Sequence, residues 1–288
     1  MTFLLKSALT LSLPPAATAI TILAIASLAT KPKQWAFRSW LTGIALATGY
    51  AVGHRIVTGT LPLVPHSVEG WLPLSALLVA MLSALDHLPT LPTVLKTMWR
   101  LPVSVGAVAV LLLPAASLTI GAKIAWAIGL GMALTALWLA MDALAERQTG
   151  VLLPISWSTV ATAGSAALFI AHTAAISQLA GVLAAVTGAA FAFGLWQRQW
   201  SWAKGAVSVV AVLLFGVTVN GVFYAELPLA SATFLWLAAV AGWVRFAPIS
   251  QRLPAWAQVA GQLSATIVGA GVAVGIAVLK IGLPTGGY

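Results

Sequence analysis

Residues 196–224 read WQRQWSWAKGAVSVVAVLLFGVTVNGVFY. Three tryptophans interleaved with Arg198 and Lys204 open the stretch, and the twenty residues from Gly205 to Tyr224 then pass without a charged side chain. At about 1.5 Å of rise per residue such a helix is about 30 Å long, the thickness of a bilayer's hydrocarbon core. A helix satisfies its own backbone groups, which is what lipid demands of any chain that crosses it. Indoles and cations at its entrance suit the membrane–water boundary. One segment therefore sets the expectation for the whole chain: an all-α, polytopic transmembrane bundle.

Working outward, nine further apolar stretches follow the same rule. The ten expected spans are 8–29, 37–56, 71–88, 101–121, 123–145, 151–172, 175–196, 205–224, 227–246 and 256–280. The third is the shortest and is closed by Asp86 and His87, so a tilted or re-entrant segment would lower the count to nine. Pro114 lies inside the fourth, where loss of a backbone donor predicts a kink. Ala24-Ile25-Ala26 resembles a small-residue cleavage site, but the first apolar run is long for a signal segment and reads as a retained helix.

The basic residues alternate. Every second loop holds Lys31, Lys33 and Arg38, then Lys96 and Arg100, Arg147, Arg198 and Lys204, and Arg245 and Arg252, ten of the fourteen Lys and Arg residues. The positive-inside rule puts those loops in the cytoplasm and both termini on the outer side, as in a bacterial inner-membrane protein. Trp35, Trp40, Trp99, Trp196, Trp200, Trp202, Trp243 and Trp256 lie beside the same loops and read as an interfacial belt.

Composition agrees. Hydrophobic residues are 61% of the 288 and charged residues 7%, against about 25% charged in soluble domains. The loops are too short for a soluble domain, so residues 1–288 read as a single integral membrane domain, with two antiparallel five-helix halves, 1–147 and 148–288, as a weak subdivision. The net charge of +9 is spread over successive loops, which favours lipid headgroups over nucleic acid as the partner. With no cysteine there is no disulfide, thiolate metal site or cysteine nucleophile.

Small residues recur at intervals of four: Gly261, Ala265 and Gly269, with Gly271 and Gly275 beyond, and Gly181 with Ala185 and Ala184 with Gly188. That spacing lets helix backbones touch, first within the bundle and secondly at a homodimer or membrane-complex seam.

The centres of the expected spans carry no charge, which argues against a proton relay or voltage sensor. The remaining polar residues gather at the expected outer face: His54, Arg55, His66, Glu69, His172 and Glu226, with Asn220, the chain's single asparagine, as a candidate substrate-binding group. Histidine with carboxylate could serve acid–base work, and Arg55 could hold an anionic group. No HExxH, Walker or GxSxG pattern is present, and helix-end polar groups that contact headgroups explain the same residues without catalysis. At the basic side Asp142 and Glu146, four apart, read as a solvated helix end. No cofactor or metal is expected. Three functions remain: permease-like transport of a neutral or amphipathic solute, favoured by the build; a non-catalytic membrane subunit or scaffold; and a small outer-face lipid-modifying enzyme. A permease requires a polar cavity reaching the midplane, which a solid apolar bundle would not supply.

Overall fold

The computed structural model describes residues 2–29, 35–61, 65, 67–87, 94 and 98–283. Among them are ten helices of eleven residues or more: α1 (Thr2–Ala29), α2 (Trp35–Thr58), α3 (Trp71–Leu82), α4 (Arg100–Leu112), α5 (Ile120–Ala145), α6 (Leu152–Ile170), α7 (Ala174–Trp196), α8 (Gly205–Tyr224), α9 (Leu229–Ala239) and α10 (Ala255–Ile281). Each falls within or over one of the expected stretches. A 3-10 turn, Ser83–His87, continues α3, and two more, Ala241–Phe246 and Ser250–Arg252, join α9 to α10.

Six of these helices are long and apolar enough to cross a membrane: α1, α5, α6, α7, α8 and α10. α3, α4 and α9 are apolar but short, and α9 at eleven residues reaches only about 16 Å along its axis. α2 has the length, but Thr42, Thr48, Tyr50 and His54 interrupt its apolar run. The six helices fit a membrane-integral protein.

The fourth stretch ends early. α4 stops at Leu112 and Pro114 sits in the turn beyond it, so the proline terminates the helix instead of kinking it. Proline has no N–H to offer the carbonyl four residues back and its ring crowds that carbonyl, and here the chain turns. Lys123 donates through Nζ to the Leu113 carbonyl at 2.6 Å, supplying a donor the helix end lacks, and Thr119 caps the start of α5 by accepting from Ala122 N.

α8 is the axis. All seventeen residues from Gly205 to Gly221 are buried, and α2, α3, α4, α5, α6, α7 and α9 all touch it. Glycines allow the approach. A Cβ on Gly43 of α2 would lie 2.6 Å from the Gly205 carbonyl oxygen, and one on Gly216 would lie 2.6 Å from Leu72 of α3. α6 and α7 form a hairpin held by hydroxyls: Ser158 donates to the Ala184 carbonyl, while Ser165 and Ser177 each donate to the other's carbonyl at 2.8 Å. Gly181 and Gly188 lie in ordinary contact with Ser165 and Ser158, so this pair of small-residue rows packs as expected.

The row on α10 does not. Its buried face is Gln262, Thr266, Ala270, Ala273 and Ala277, and of the glycines only Gly269 packs closely, on Ala238 of α9. Gly261, Gly271 and Gly275 face open space. Gly43→Ala should lower stability in detergent by about 1–3 kcal/mol because the new methyl meets backbone. Gly271→Ala should stay within about 0.5 kcal/mol of the parent. Denaturant unfolding of the two variants side by side checks both.

Candidate functional site

The chain has only five acidic residues, and two of them meet one guanidinium inside the bundle. Arg100 is the first residue of α4, Asp86 lies in the 3-10 turn after α3, and Asp142 is on the last turn of α5. Arg100 Nη2 donates to Asp86 Oδ2 and to Asp142 Oδ2, each at 2.8 Å, and all three residues are buried, none more than 6% exposed. The second oxygen of each carboxylate is also used: Trp99 Nε1 donates to Asp86 Oδ1 at 3.2 Å and the Lys204 backbone N–H to Asp142 Oδ1 at 2.6 Å. Lys204 adopts φ +66°, a conformation rare for a residue with a Cβ, at the step that turns its amide toward Asp142 just before α8 begins. The Arg100 guanidinium lies 5.3 Å from the Trp138 ring centroid, and Trp99 meets Trp138 edge-on.

Asp142 is therefore not a solvated helix end, and Arg100 is not a free loop cation. Glu146, four residues on, lies past the end of α5 and is exposed, so the spacing did not keep the two carboxylates in one environment. Two carboxylates facing one cation leave an excess negative charge that the indole and the backbone amide partly offset by charge-assisted hydrogen bonds. With all four oxygens accepting, a metal would have to displace Arg100. Among the described residues no group of three His, Cys, Asp or Glu side chains is placed to hold a metal ion.

Around the cluster the loops at the same end are braced. Trp202, fully buried, donates through Nε1 to the Gly150 carbonyl, and Trp200 donates to Thr42 Oγ1 at 3.1 Å. Gly150 N–H donates to the Trp200 carbonyl, and Thr149 and Ser201 form an isolated antiparallel bridge. Gln148 and Gln262 exchange two amide hydrogen bonds, 3.0 and 3.1 Å, with both residues buried. Trp200 and Trp202 thus belong to the interior, whereas Trp196 and Trp256 remain exposed as an interfacial belt requires.

No family model, curated protein or solved structure matches this chain.

The residues expected at the opposite end are dispersed. His54 is buried; its Nε2 lies 3.1 Å from the Glu69 backbone carbonyl and its Nδ1 3.3 Å from Thr58 Oγ1, so both ring nitrogens are engaged with neutral groups. Arg55, His172 and Glu226 are exposed and Glu69 is half-buried. Among the described residues no hydrogen bond or ion pair joins His54, His172 and Glu226, and His66 lies outside those residues. His172 sits at φ +59° in the turn between α6 and α7. Asn220 is fully buried on α8, and neither Oδ1 nor Nδ2 has a hydrogen-bond partner among the described residues.

The ion cluster has a direct test. Arg100→Met leaves two buried carboxylates without their cation and should cost about 3–5 kcal/mol. The triple replacement of Arg100, Asp86 and Asp142 by Met, Leu and Leu should recover most of that loss, since a buried ion group contributes mainly by not being broken. Unfolding midpoints in detergent read both, and a triple variant no better than Arg100→Met would contradict the account.

Proposed function

We propose that this chain is a non-catalytic membrane subunit or scaffold, a single integral membrane domain of a bacterial inner membrane that presents a rigid helical surface to a partner within the bilayer. One observation supports this reading above the others: α8 fills the axis with seventeen consecutive buried residues, nearly all of them apolar or glycine. A carrier or channel needs polar groups lining a path at that position. The charged groups that enter the interior are consumed by one another, so they are not free for catalysis or for ion passage.

The glycines of α10 that face open space agree with a partner role. Gly261, Gly271 and Gly275 share the helix surface with exposed Ile267, Val268 and Val272, a surface onto which another helix could pack at close range. In this reading the protein copurifies with a membrane partner under mild detergent, and Gly271→Leu abolishes that association without changing the monomer's unfolding midpoint. A lone monomer that carries solute across reconstituted vesicles would overturn it.

A second reading, permease-like transport of a neutral or amphipathic solute, is supported by Asn220. A buried carboxamide without partners costs roughly 1–3 kcal/mol per unmet group, and a bound solute would offset that cost. On this reading Asn220→Leu abolishes uptake and leaves the fold intact. If the substitution only raises stability, the amide is a plain energetic burden and the transport reading fails.

A further inference from the structure

A second arginine is fixed in place at the same end of the bundle as the ion cluster, and among the described residues it forms no ion pair. Arg147 follows α5 and is exposed, with its guanidinium carbon 4.8 Å from the Trp243 ring centroid and 5.6 Å from that of Phe246. The aromatic shelf is itself anchored: Trp243 Nε1 donates to the Ala140 carbonyl of α5 at 3.1 Å, and Trp243 meets Phe246 edge-on. The backbone next to Arg147 is held too, because Gln148 is locked to Gln262. A guanidinium stacked on rings keeps its N–H edge free, and neither ion pair among the described residues uses Arg147. Its charged neighbours in sequence and on the shelf turn are Glu146, which is exposed and does not pair with it, and Arg245, which adds to the positive charge.

We propose that Arg147, held on Trp243 and Phe246, binds the phosphate of an anionic glycerophospholipid. A planar five-donor fork suits a phosphate, and the order imposed by the shelf reduces the entropy lost on binding. Lipid fits better than a free anion because the segment that carries the shelf also exposes Val244, Ile249, Leu253 and Trp256, apolar groups suited to glycerol and acyl chains rather than to water. The inference rests on the membrane reading alone and is independent of whether the protein is a subunit or a permease.

The test is native mass spectrometry of the full chain in neutral detergent, incubated with phosphatidylglycerol, with phosphatidylcholine, or with phosphatidylglycerol in the presence of excess inorganic phosphate. The parent should retain one phosphatidylglycerol in preference to phosphatidylcholine. Arg147→Gln should reduce that preference about fivefold, the change one basic group makes at an anionic surface, and Trp243→Leu should do the same by removing the shelf. Arg147→Lys, which keeps the charge but not the planar stack, should fall between. Arg198→Gln, an exposed arginine with no ring beneath it among the described contacts, should leave the preference intact. Retention of phosphatidylglycerol by both Arg147→Gln and Trp243→Leu at the parent level overturns the assignment. So does an equal loss in Arg198→Gln, and so does displacement of the lipid by inorganic phosphate.

Discussion

A charge that leaves water must find an opposite charge, and in this chain that constraint falls on Arg100. Its guanidinium holds the turn after α3 and the last turn of α5 to the start of α4, while Asp142 reaches onward to the amide that begins α8. Three sequence-distant carboxylate and cation positions thereby fix the relative depth of four helices. Apolar side chains cannot do this, because one apolar contact along a lipid-soluble helix is nearly as good as the next. The directed bonds set register, and the glycine contacts of α8 then determine how closely its neighbours approach.

The rest of the basic end follows from the same need to satisfy polar groups away from water. The loops after α5 and α7 share backbone hydrogen bonds, an indole donor and a bridge, and the Gln148–Gln262 exchange ties α10 to them. At the other end the links among the described residues include His54 to the Glu69 carbonyl, Tyr224 to the Leu111 carbonyl, Lys123 to the Leu113 carbonyl and the Ser165–Ser177 exchange. Among the described residues the charged and indole links gather on the side where the sequence places its arginines and tryptophans.

Much of the fold was legible because helices announce themselves by length and apolarity. The ten apolar stretches each contain a helix, and the twenty residues of α8 match the expected span to the residue. Less legible was what each helix faces. Gly261, Ala265 and Gly269, with Gly271 and Gly275 beyond, show the spacing of a packing seam, yet of these glycines only Gly269 packs closely and the buried row of α10 is offset from the others; nothing in a regular small-residue pattern says which row is taken. The candidate site was hidden for a related reason. Asp86, Arg100 and Asp142 each stand at the end of an apolar run, where a solvated helix end and a buried ion pair look alike. The available signal was scarcity: with five acids in 288 residues, an acid bordering an apolar run has few reasons to be there unless a cation is waiting. Trp200 and Trp202 misled in the same way, since an indole beside a cation suits an interface and a buried hydrogen-bonded corner equally well.

The left-handed turn at Lys204 ties the entrance of the central helix to residues far earlier in the chain. A lysine there is held against its own preference by the bond from its amide to Asp142, and Asp142 is in turn oriented by Arg100. The carboxylate and guanidinium that receive the entrance to the central helix thus lie on α5 and α4, which precede it in the chain. A change at Asp142 or Arg100 would therefore act on the most buried helix of the bundle from outside that helix's own sequence, through a single backbone amide.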